Sequence, residues 1–260
     1  RYYFAEKFLN KKPDEVTIIS IMPCVAKKYE VAREELSQDR IIDTDLSLTV
    51  RELARMIKEA GIDLANLEET DFDSPLGYST GAADIFGATG GVLEAALRTA
   101  YEVITNETLE NIDFTSVRGM EGIKEASIDV GGTIVNVAAA SSLGNARVLM
   151  DDLRAGKSKY HIIEIMACPG GCVAGGGQPF HGGDYAKVKA RSAGLYEIDT
   201  NKPLRKSHEN PDVQKLYADF LGEPNGHLAH KYLHTHYFDR SNVYGEEISE
   251  PELATDGAAE

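Results

Sequence analysis

The pattern of apolar and polar residues along the chain predicts alternating strands and helices. Residues 15–21 (EVTIISI) are rich in β-branched residues and predict a buried strand, as do residues 160–165. Residues 124–130 and 133–140 flank Gly131-Gly132, a sequence typical of a tight β-hairpin turn. This order of elements predicts an α/β protein.

Helical signals lie between these strands. Thr49 and Glu52 form a capping box in front of a helix that ends at Gly61. Further helices are predicted over residues 25–36, over residues 92–104 with Ala96, Ala100 and Ile104 repeating at intervals of four, and over residues 144–154 before Gly156. Beyond Pro179 the periodicity weakens, and we expect residues 180–240 to wrap around the preceding part.

One short sequence occurs twice. The frame I-I-x-I-M-x-C ends at Cys24 and again at Cys168. Each copy places a Met and a Cys at the carboxyl end of a predicted strand, where open α/β sheets bind their ligands. Two similar apolar strands could share the frame by coincidence. The functional interpretation is that two lobes face one another and each contributes a thiolate to a shared site.

The composition narrows the function classes. The 27 basic and 42 acidic residues give a net charge of −15, which argues against nucleic acid or an anionic membrane as the main partner. No apolar run reaches the length of about 18 residues that predicts a membrane span. Three cysteines, two of them only four apart, favour a reducing compartment and predict a cytoplasmic protein.

Cys168-Pro169-Gly170-Gly171-Cys172, with the triple glycine at 175–177 and Gln178 after it, is the strongest chemical signal. Two cysteines on a glycine-rich turn can bind one metal centre, because glycines let backbone N–H groups approach cluster sulfurs. A structural, redox or zinc role is open for the pair alone. The distant Cys24 favours an iron–sulfur cluster, and Lys27 would place a cation beside it.

Two weaker candidates stand apart from the cysteines. Gly87-Ala88-Thr89-Gly90-Gly91 is similar to an anion-binding turn at a helix start, but it matches no nucleotide-binding motif. A cluster of histidines could bind a metal, although such residues are more often satisfied by hydrogen bonds. Its members are His227, His230, His234 and His236.

Residues 22–30 (MPCVAKKYE) and 164–179 (EIMACPGGCVAGGGQP) resemble two signature motifs of iron-only (FeFe) hydrogenases. The resemblance continues through residues 79–82, 86–91, 143–147 and 203–210, and covers most of the chain up to residue 240. It implies a two-lobed α/β fold, in which each lobe is a mostly parallel sheet flanked by helices and the cluster lies between the lobes. The implied reaction interconverts H2 with protons and electrons.

The resemblance also implies a cofactor and roles for individual residues. The cofactor would be a 4Fe-4S cluster bridged to a di-iron unit with CO, cyanide and a bridging dithiolate. Metal ligands would be Cys24, Cys168 and Cys172, the last as the bridge. Lys27 would hydrogen-bond a cyanide and pair with Glu30, while Met22, Pro23, Phe86 and Met166 would line a dry pocket. Gly171, Gly175, Gly176 and Gln178 would contact the cofactor.

One family motif, T-S-C-C-P, is absent from these residues, and it supplies the fourth cluster ligand and a proton-relay cysteine. We therefore expect a partial catalytic domain over 1–240, with lobes at about 15–140 and 141–179 and an acidic tail at 241–260. Such a chain would be inactive alone. The implied partners are ferredoxin or NAD(P)-linked subunits, upstream iron–sulfur clusters and cluster-maturation proteins.

Three alternatives remain open at this point. The first is a non-catalytic iron–sulfur carrier of the hydrogenase-like cytosolic assembly factors, and the second is an H2-sensing relative. The third is a zinc-stabilised binding module, which predicts stoichiometric zinc and no iron.

Overall fold

The computed structural model describes residues 1–120 and 122–237. Its strands are β1 (Ile19–Met22), β2 (Ser37–Gln38), β3 (Ile41–Ile42), β4 (Leu46–Thr49), β5 (Ile123–Val130), β6 (Thr133–Ser141) and β7 (Ile162–Met166). Its α-helices are α1 (Tyr2–Phe8), α2 (Lys27–Glu30), α3 (Val50–Glu59), α4 (Gly81–Asp84), α5 (Gly91–Thr105), α6 (Leu143–Arg154), α7 (Tyr185–Asn201), α8 (Pro211–Leu216) and α9 (His227–Leu233). The predicted acidic tail, 241–260, lies outside the described residues.

The strands form separate small sheets. In the first, β1 and β4 pair in parallel, with Met22 opposite Thr49. In the second, β5 and β6 form an antiparallel hairpin and β7 adds to β6 in parallel, so this sheet is mixed rather than mostly parallel. Strands β2 and β3 form a short antiparallel pair. The α/β class is confirmed. The predicted lobe boundary at residue 140 falls within the second sheet, because β6 runs from Thr133 to Ser141 and pairs with β7.

Strand β6 is the centre of the main core. Val137 and Ala139 on one of its faces pack with Leu93 and Leu97 of α5. Ala138 and Ala140 on the other face pack against α6. A strand covered by helices on both faces is apolar at every position, which explains the run of three alanines. The predicted repeat of Ala96, Ala100 and Ile104 faces away from this core, and Ile104 is 63% exposed.

Elements with local end signals form as predicted. The Thr49 side chain caps α3 by accepting the N–H of Glu52, and the Glu52 side chain completes the capping box. Gly131 and Gly132 both adopt positive φ in the β5–β6 turn, as the hairpin requires. Gly156, also at positive φ, follows the end of α6.

Two predicted elements differ from the structure, and one helix was not predicted. Strand β1 begins only at Ile19 because residues 13–15 form a 3-10 turn, and Ile19 is 51% exposed rather than buried because β1 has one neighbouring strand. The helix predicted over 25–36 is limited to the single turn of α2, since Leu36 already accepts a hydrogen bond from Asp43. Helix α7, the longest in the described residues, has no apolar stripe and buries only Val188 and Asp199.

Candidate metal centre

The repeated frame brings its two cysteines to equivalent positions. Cys24 lies two residues beyond β1 and Cys168 two residues beyond β7, each at the carboxyl end of a parallel strand. Cys172 opens a 3-10 turn that follows Cys168. All three are free thiols and half-buried. The two strand ends therefore each carry a cysteine at an equivalent position, and that these cysteines are donors of one site stays a prediction.

The three thiols lie within electrostatic reach of one another. Burial raises the pKa of the Cys172 thiol, and neighbouring Cys24 and Cys168 raise it further, whereas Lys27 lowers it. A buried thiol with a raised pKa is a poor nucleophile. A cationic metal centre at this place would stabilise the thiolate form, so the arrangement favours a ligand role over nucleophilic chemistry.

The sulfur spacing tests the zinc alternative. Thiolates bound to one tetrahedral zinc ion at about 2.3 Å lie about 3.8 Å from one another. Among residues 1–120 and 122–237, the sets of three ligand atoms within 4.8 Å of one another do not include the cysteine sulfurs. The three sulfurs are therefore not all within 4.8 Å of one another, a spacing that a cluster with several iron atoms accommodates.

The glycines after Cys172 allow backbone to approach backbone. A Cβ at Gly175 would lie 2.1 Å from the carbonyl oxygen of Pro23, and Gly177 donates its N–H to the same oxygen at 2.9 Å. A Cβ at Gly176 would lie 3.2 Å from the Val25 side chain. This loop therefore holds the residue before Cys24 directly against the segment after Cys172.

The turn between Cys168 and Cys172 contacts a second glycine-rich segment. Gly171 has a φ of +99°, and a Cβ there would lie 2.7 Å from both the Gly87 carbonyl oxygen and the Thr89 nitrogen. Gly170 accepts the Thr89 N–H at 3.2 Å. No other residue type fits at Gly171 without displacing backbone, which explains why this turn is glycine-rich.

The remaining predicted site residues lie at partly exposed positions. Lys27 forms an ion pair with Glu30 one helical turn away. Met22, Met166, Pro23 and Gln178 are half-buried, and Phe86 is 44% exposed. These side chains are therefore all partly exposed to solvent, and their role in lining a dry pocket stays a prediction.

Comparison with known proteins identifies the family. The family model for the iron only hydrogenase large subunit, C-terminal domain, matches residues 1–176, and the model for the iron hydrogenase small subunit matches residues 185–240. The chain belongs to the iron-only hydrogenase family. The NADP-reducing hydrogenase subunit HndD of Solidesulfovibrio fructosivorans is 52% identical over 93% of this chain and 41% of its own length.

Other family members span a range of similarity. The periplasmic Fe hydrogenase large subunit of Nitratidesulfovibrio vulgaris is 52% identical over 75% of this chain and 46% of its own length. The chain thus spans less than half the length of these hydrogenase relatives. Protein NAR1 of Arabidopsis thaliana is 31% identical over 86% of the chain and 50% of its own length.

Solved structures confirm the hydrogenase fold. An FeFe-hydrogenase of Chlamydomonas reinhardtii superimposes with a TM-score of 0.74 at 42% identity, covering 90% of this chain and 66% of that one. None of the helices within residues 1–120 and 122–237 has both the length and the apolar character needed to cross a membrane.

In this hydrogenase fold, an internal carboxylate occupies the anion-binding turn. The carboxylate of Glu164 accepts N–H groups of Gly90 at 2.6 Å and Leu93 at 2.7 Å, at the start of α5. Burial raises the pKa of Glu164, and the backbone hydrogen bonds oppose that shift. The turn therefore fastens strand β7 to a helix N-terminus, which stabilises a negative charge.

A buried ion network joins the regions that match the two family models. Arg98, fully buried on α5, makes two hydrogen bonds of 2.8 Å to Asp199 of α7 and one to Glu94. Arg205 also binds Asp199, at 2.6 Å. A Cβ at Gly81 would lie 2.1 Å from an Asp199 carboxylate oxygen, so glycine at 81 permits this approach.

Residues 203–210 of the hydrogenase resemblance fasten the C-terminal region to α5. Lys206 Nζ lies 2.6 Å from one Glu102 oxygen, and His208 Nε2 lies 2.8 Å from the other. Glu102, His208 and Glu209 place three possible metal-ligand atoms close together, but the Lys206 ammonium already pairs with both carboxylates.

In the predicted histidine cluster, the exposed rings of His230 and His234 lie 4.3 Å apart. The described residues provide no third ligand atom there.

Sequence reasoning missed the buried charged residues that join the elements around the candidate centre. The sequence does mark Glu164 as unusual, because it is an acidic residue within an apolar strand, at the position that Ser20 occupies in the first copy of the frame. Arg98 is marked in the sequence by its i,i+4 spacing from Glu94 on a predicted apolar helix. Asp199 carried no such signal, because its buried partner Arg98 lies 101 positions away in the sequence.

Proposed function

We propose that this chain is the cluster-binding part of an iron-only hydrogenase that interconverts H2 with protons and electrons. The observation that carries the proposal is the convergence of two strand ends on three free thiols, with Lys27 close enough to lower the pKa of Cys172. Membership of the hydrogenase family supports the reaction class, and 52% identity to two hydrogenase subunits supports it further.

Cys24, Cys168 and Cys172 would hold a 4Fe-4S cluster, with Cys172 shared with a di-iron unit carrying CO, cyanide and a bridging dithiolate. The donor set fits, because thiolates are the ligands of iron–sulfur clusters and the sulfur spacing exceeds that of a single zinc site. When bound, this group supplies the electron transfer and the binding of hydrogen.

Lys27 places a fixed cation beside the thiols, where an anionic ligand such as cyanide would accept a hydrogen bond from Nζ. Glu30 holds that lysine by the ion pair. Gly171, Gly175, Gly176 and Gln178 shape the backbone around the cofactor. Met22, Pro23, Phe86 and Met166 would exclude water from the cofactor.

The names of the relatives support a proposal for the electron partners. The name of the S. fructosivorans subunit favours an NAD(P)-linked electron path, with ferredoxin as the alternative, and further iron–sulfur clusters and cluster-maturation proteins belong to either scheme. We place the protein in the cytoplasm because its free thiols suit a reducing compartment. The hydrogenase large subunit of N. vulgaris, by contrast, is named as periplasmic.

The rival function is a non-catalytic iron–sulfur carrier, as in the cytosolic Fe-S cluster assembly factor of Xenopus tropicalis, which is 28% identical over 88% of this chain and 48% of its own length. An H2-sensing role is a second rival. The chain is more similar to hydrogenase subunits than to this assembly factor, which favours a catalytic function over an iron–sulfur carrier function.

The test joins the chain to an upstream segment carrying the T-S-C-C-P motif and matures it anaerobically. Expected results are H2 evolution from a reduced dye and the infrared bands of CO and cyanide on iron, both absent from the chain alone. A joined, matured protein that binds a 4Fe-4S cluster yet shows neither result would overturn catalysis in favour of a carrier. A joined protein that binds zinc and no iron would overturn both the catalytic and the carrier function.

A further inference from the structure

Ser141, the last residue of β6, is buried beside the turn that carries two of the three thiols. Only 2% of Ser141 is exposed, and it lies opposite Met166 in the register of β6 and β7. Its side-chain oxygen accepts the backbone N–H of Gly170 at 2.9 Å, and this hydrogen bond is buried. Gly170 lies between Cys168 and Cys172. A buried hydroxyl therefore contacts the cysteine turn directly.

Ser142, the next residue, holds the strand end in front of Cys168. Its backbone N–H donates to the carbonyl oxygen of Met166 at 2.8 Å. Ser142 does this with a φ of +84° and a ψ of 155°, a conformation that residues with a side chain rarely adopt. It is the N-cap residue of α6, yet its side chain caps no N–H of that helix. The strained backbone therefore coincides with the contact to β7 and not with helix capping.

Both backbone polar groups of Gly170 have partners within the protein. Ser141 accepts the N–H, and the carbonyl oxygen accepts the N–H of Thr89 at 3.2 Å. Within the turn, Gly171 donates its N–H to the carbonyl oxygen of Cys168 at 2.9 Å. Contacts from β6 and from the segment before α5 thus fix the backbone between the two cysteines from both sides.

We propose that Ser141 is a positioning residue for the cluster, whose hydroxyl holds the Cys168–Cys172 turn in the conformation that binds iron. This inference rests on the proposed function. A loop that is already held in its bound conformation loses less conformational freedom when the metal binds, and so it keeps the metal more tightly. Without the hydroxyl, the buried N–H of Gly170 loses its partner and the turn is free to move.

The test uses the protein joined to its upstream segment and loaded with iron and sulfide. Ser141→Ala removes the hydroxyl, whereas Val137→Ala lowers stability in the α5-facing core of the same strand and leaves the turn intact. Iron loss to a chelator, measured well below the unfolding temperature, should be about tenfold faster in Ser141→Ala, the effect of losing one buried hydrogen bond. Val137→Ala should stay close to the wild-type rate, and the EPR spectrum of the reduced cluster should change only in Ser141→Ala.

Iron loss from Ser141→Ala that is no faster than from Val137→Ala, with an unchanged EPR spectrum, would overturn the inference. Where Ser141→Ala does not fold, hydrogen exchange of the Gly170 amide in the wild-type protein gives an independent test. This amide should be protected before and after iron is added, and rapid exchange in the iron-free protein would overturn the inference. A wild-type joined protein that binds no iron would instead contradict the proposed function, which distinguishes the two failures.

Discussion

The carboxylate of Glu164 accepts the backbone N–H of Gly90 at 2.6 Å and so ties the strand before Cys168 to the first turn of α5. Its second oxygen accepts the N–H of Leu93 at 2.7 Å. Because α5 begins within the glycine-rich segment that contacts Gly171, one buried carboxylate aligns two walls of the candidate centre.

We expect Glu164→Gln to lower the free energy of unfolding by about 2 kcal/mol, since the amide loses the charge that the helix terminus stabilises and turns an N–H₂ towards backbone donors. Urea denaturation measures the change. Glu125→Gln, on exposed β5, is the matched control and should stay within about 0.5 kcal/mol of wild type. Equal stability of both variants would show that the Glu164 contacts are dispensable.

Arg98→Met should destabilise the fold by about 3–5 kcal/mol, because it leaves the carboxylates of Glu94 and Asp199 buried with fewer partners. Arg154→Met, which breaks an exposed pair with Asp151, should cost less than about 1 kcal/mol. Chemical denaturation of both variants tests the difference. Similar losses in the two proteins would contradict a structural role for the buried network.

Sequence alone predicted the parts of the fold whose signals are local. The capping box at Thr49, the turn at Gly131-Gly132 and the stop at Gly156 each depend on a few neighbouring residues, and each formed as expected. Helix α7 was not predicted, because polar contacts such as Arg98–Asp199 hold it in place of an apolar stripe. Such contacts join residues far apart in the chain and leave no periodic pattern.

The candidate site was predictable to a similar degree. The repeated frame correctly located Cys24 and Cys168 beyond two parallel strands. Which backbone segments touch depends on the tertiary arrangement, so the contact of Gly175 with Pro23 could be seen only in the structure.

The close contact of Gly175 with Pro23 predicts different effects for alanine substitutions at two glycines. Gly175→Ala should reduce the iron bound by the joined protein, because its Cβ would meet the Pro23 carbonyl oxygen at 2.1 Å and push Cys24 away from Cys172. Gly144→Ala adds a Cβ to α6 in open space and should raise stability by about 0.5–1 kcal/mol. Iron analysis and thermal unfolding test both. Wild-type iron content in Gly175→Ala would contradict the close packing.

Acid should weaken the attachment of the C-terminal region. Burial opposes ionisation of Glu102, but hydrogen bonds from Lys206, Leu109 and His208 outweigh it and lower its pKa from 4.5 to about 2. A depressed pKa stabilises the fold above the unfolded value, and that contribution is lost as pH falls from 4.5 towards 2.

Glu102→Gln should therefore be less stable than wild type at pH 6, and the difference should shrink by pH 3. Denaturation curves at both pH values measure it, with Glu107→Gln, an exposed acid beyond α5, as the control. A gap between wild type and Glu102→Gln that is constant with pH would contradict this assignment.

Lys27 and Lys28 provide an adjacent pair for testing the proposed chemistry. Lys27 lowers the pKa of Cys172, whereas Lys28 pairs with Glu52 of α3. In the joined and matured protein, Lys27→Gln should reduce H2 evolution about a hundredfold, the typical cost of removing one donor from a preorganised site. The 4Fe-4S EPR signal should persist, because the three thiols are intact. Lys28→Gln should retain activity, and equal activity in the two variants would exclude Lys27 from the reaction.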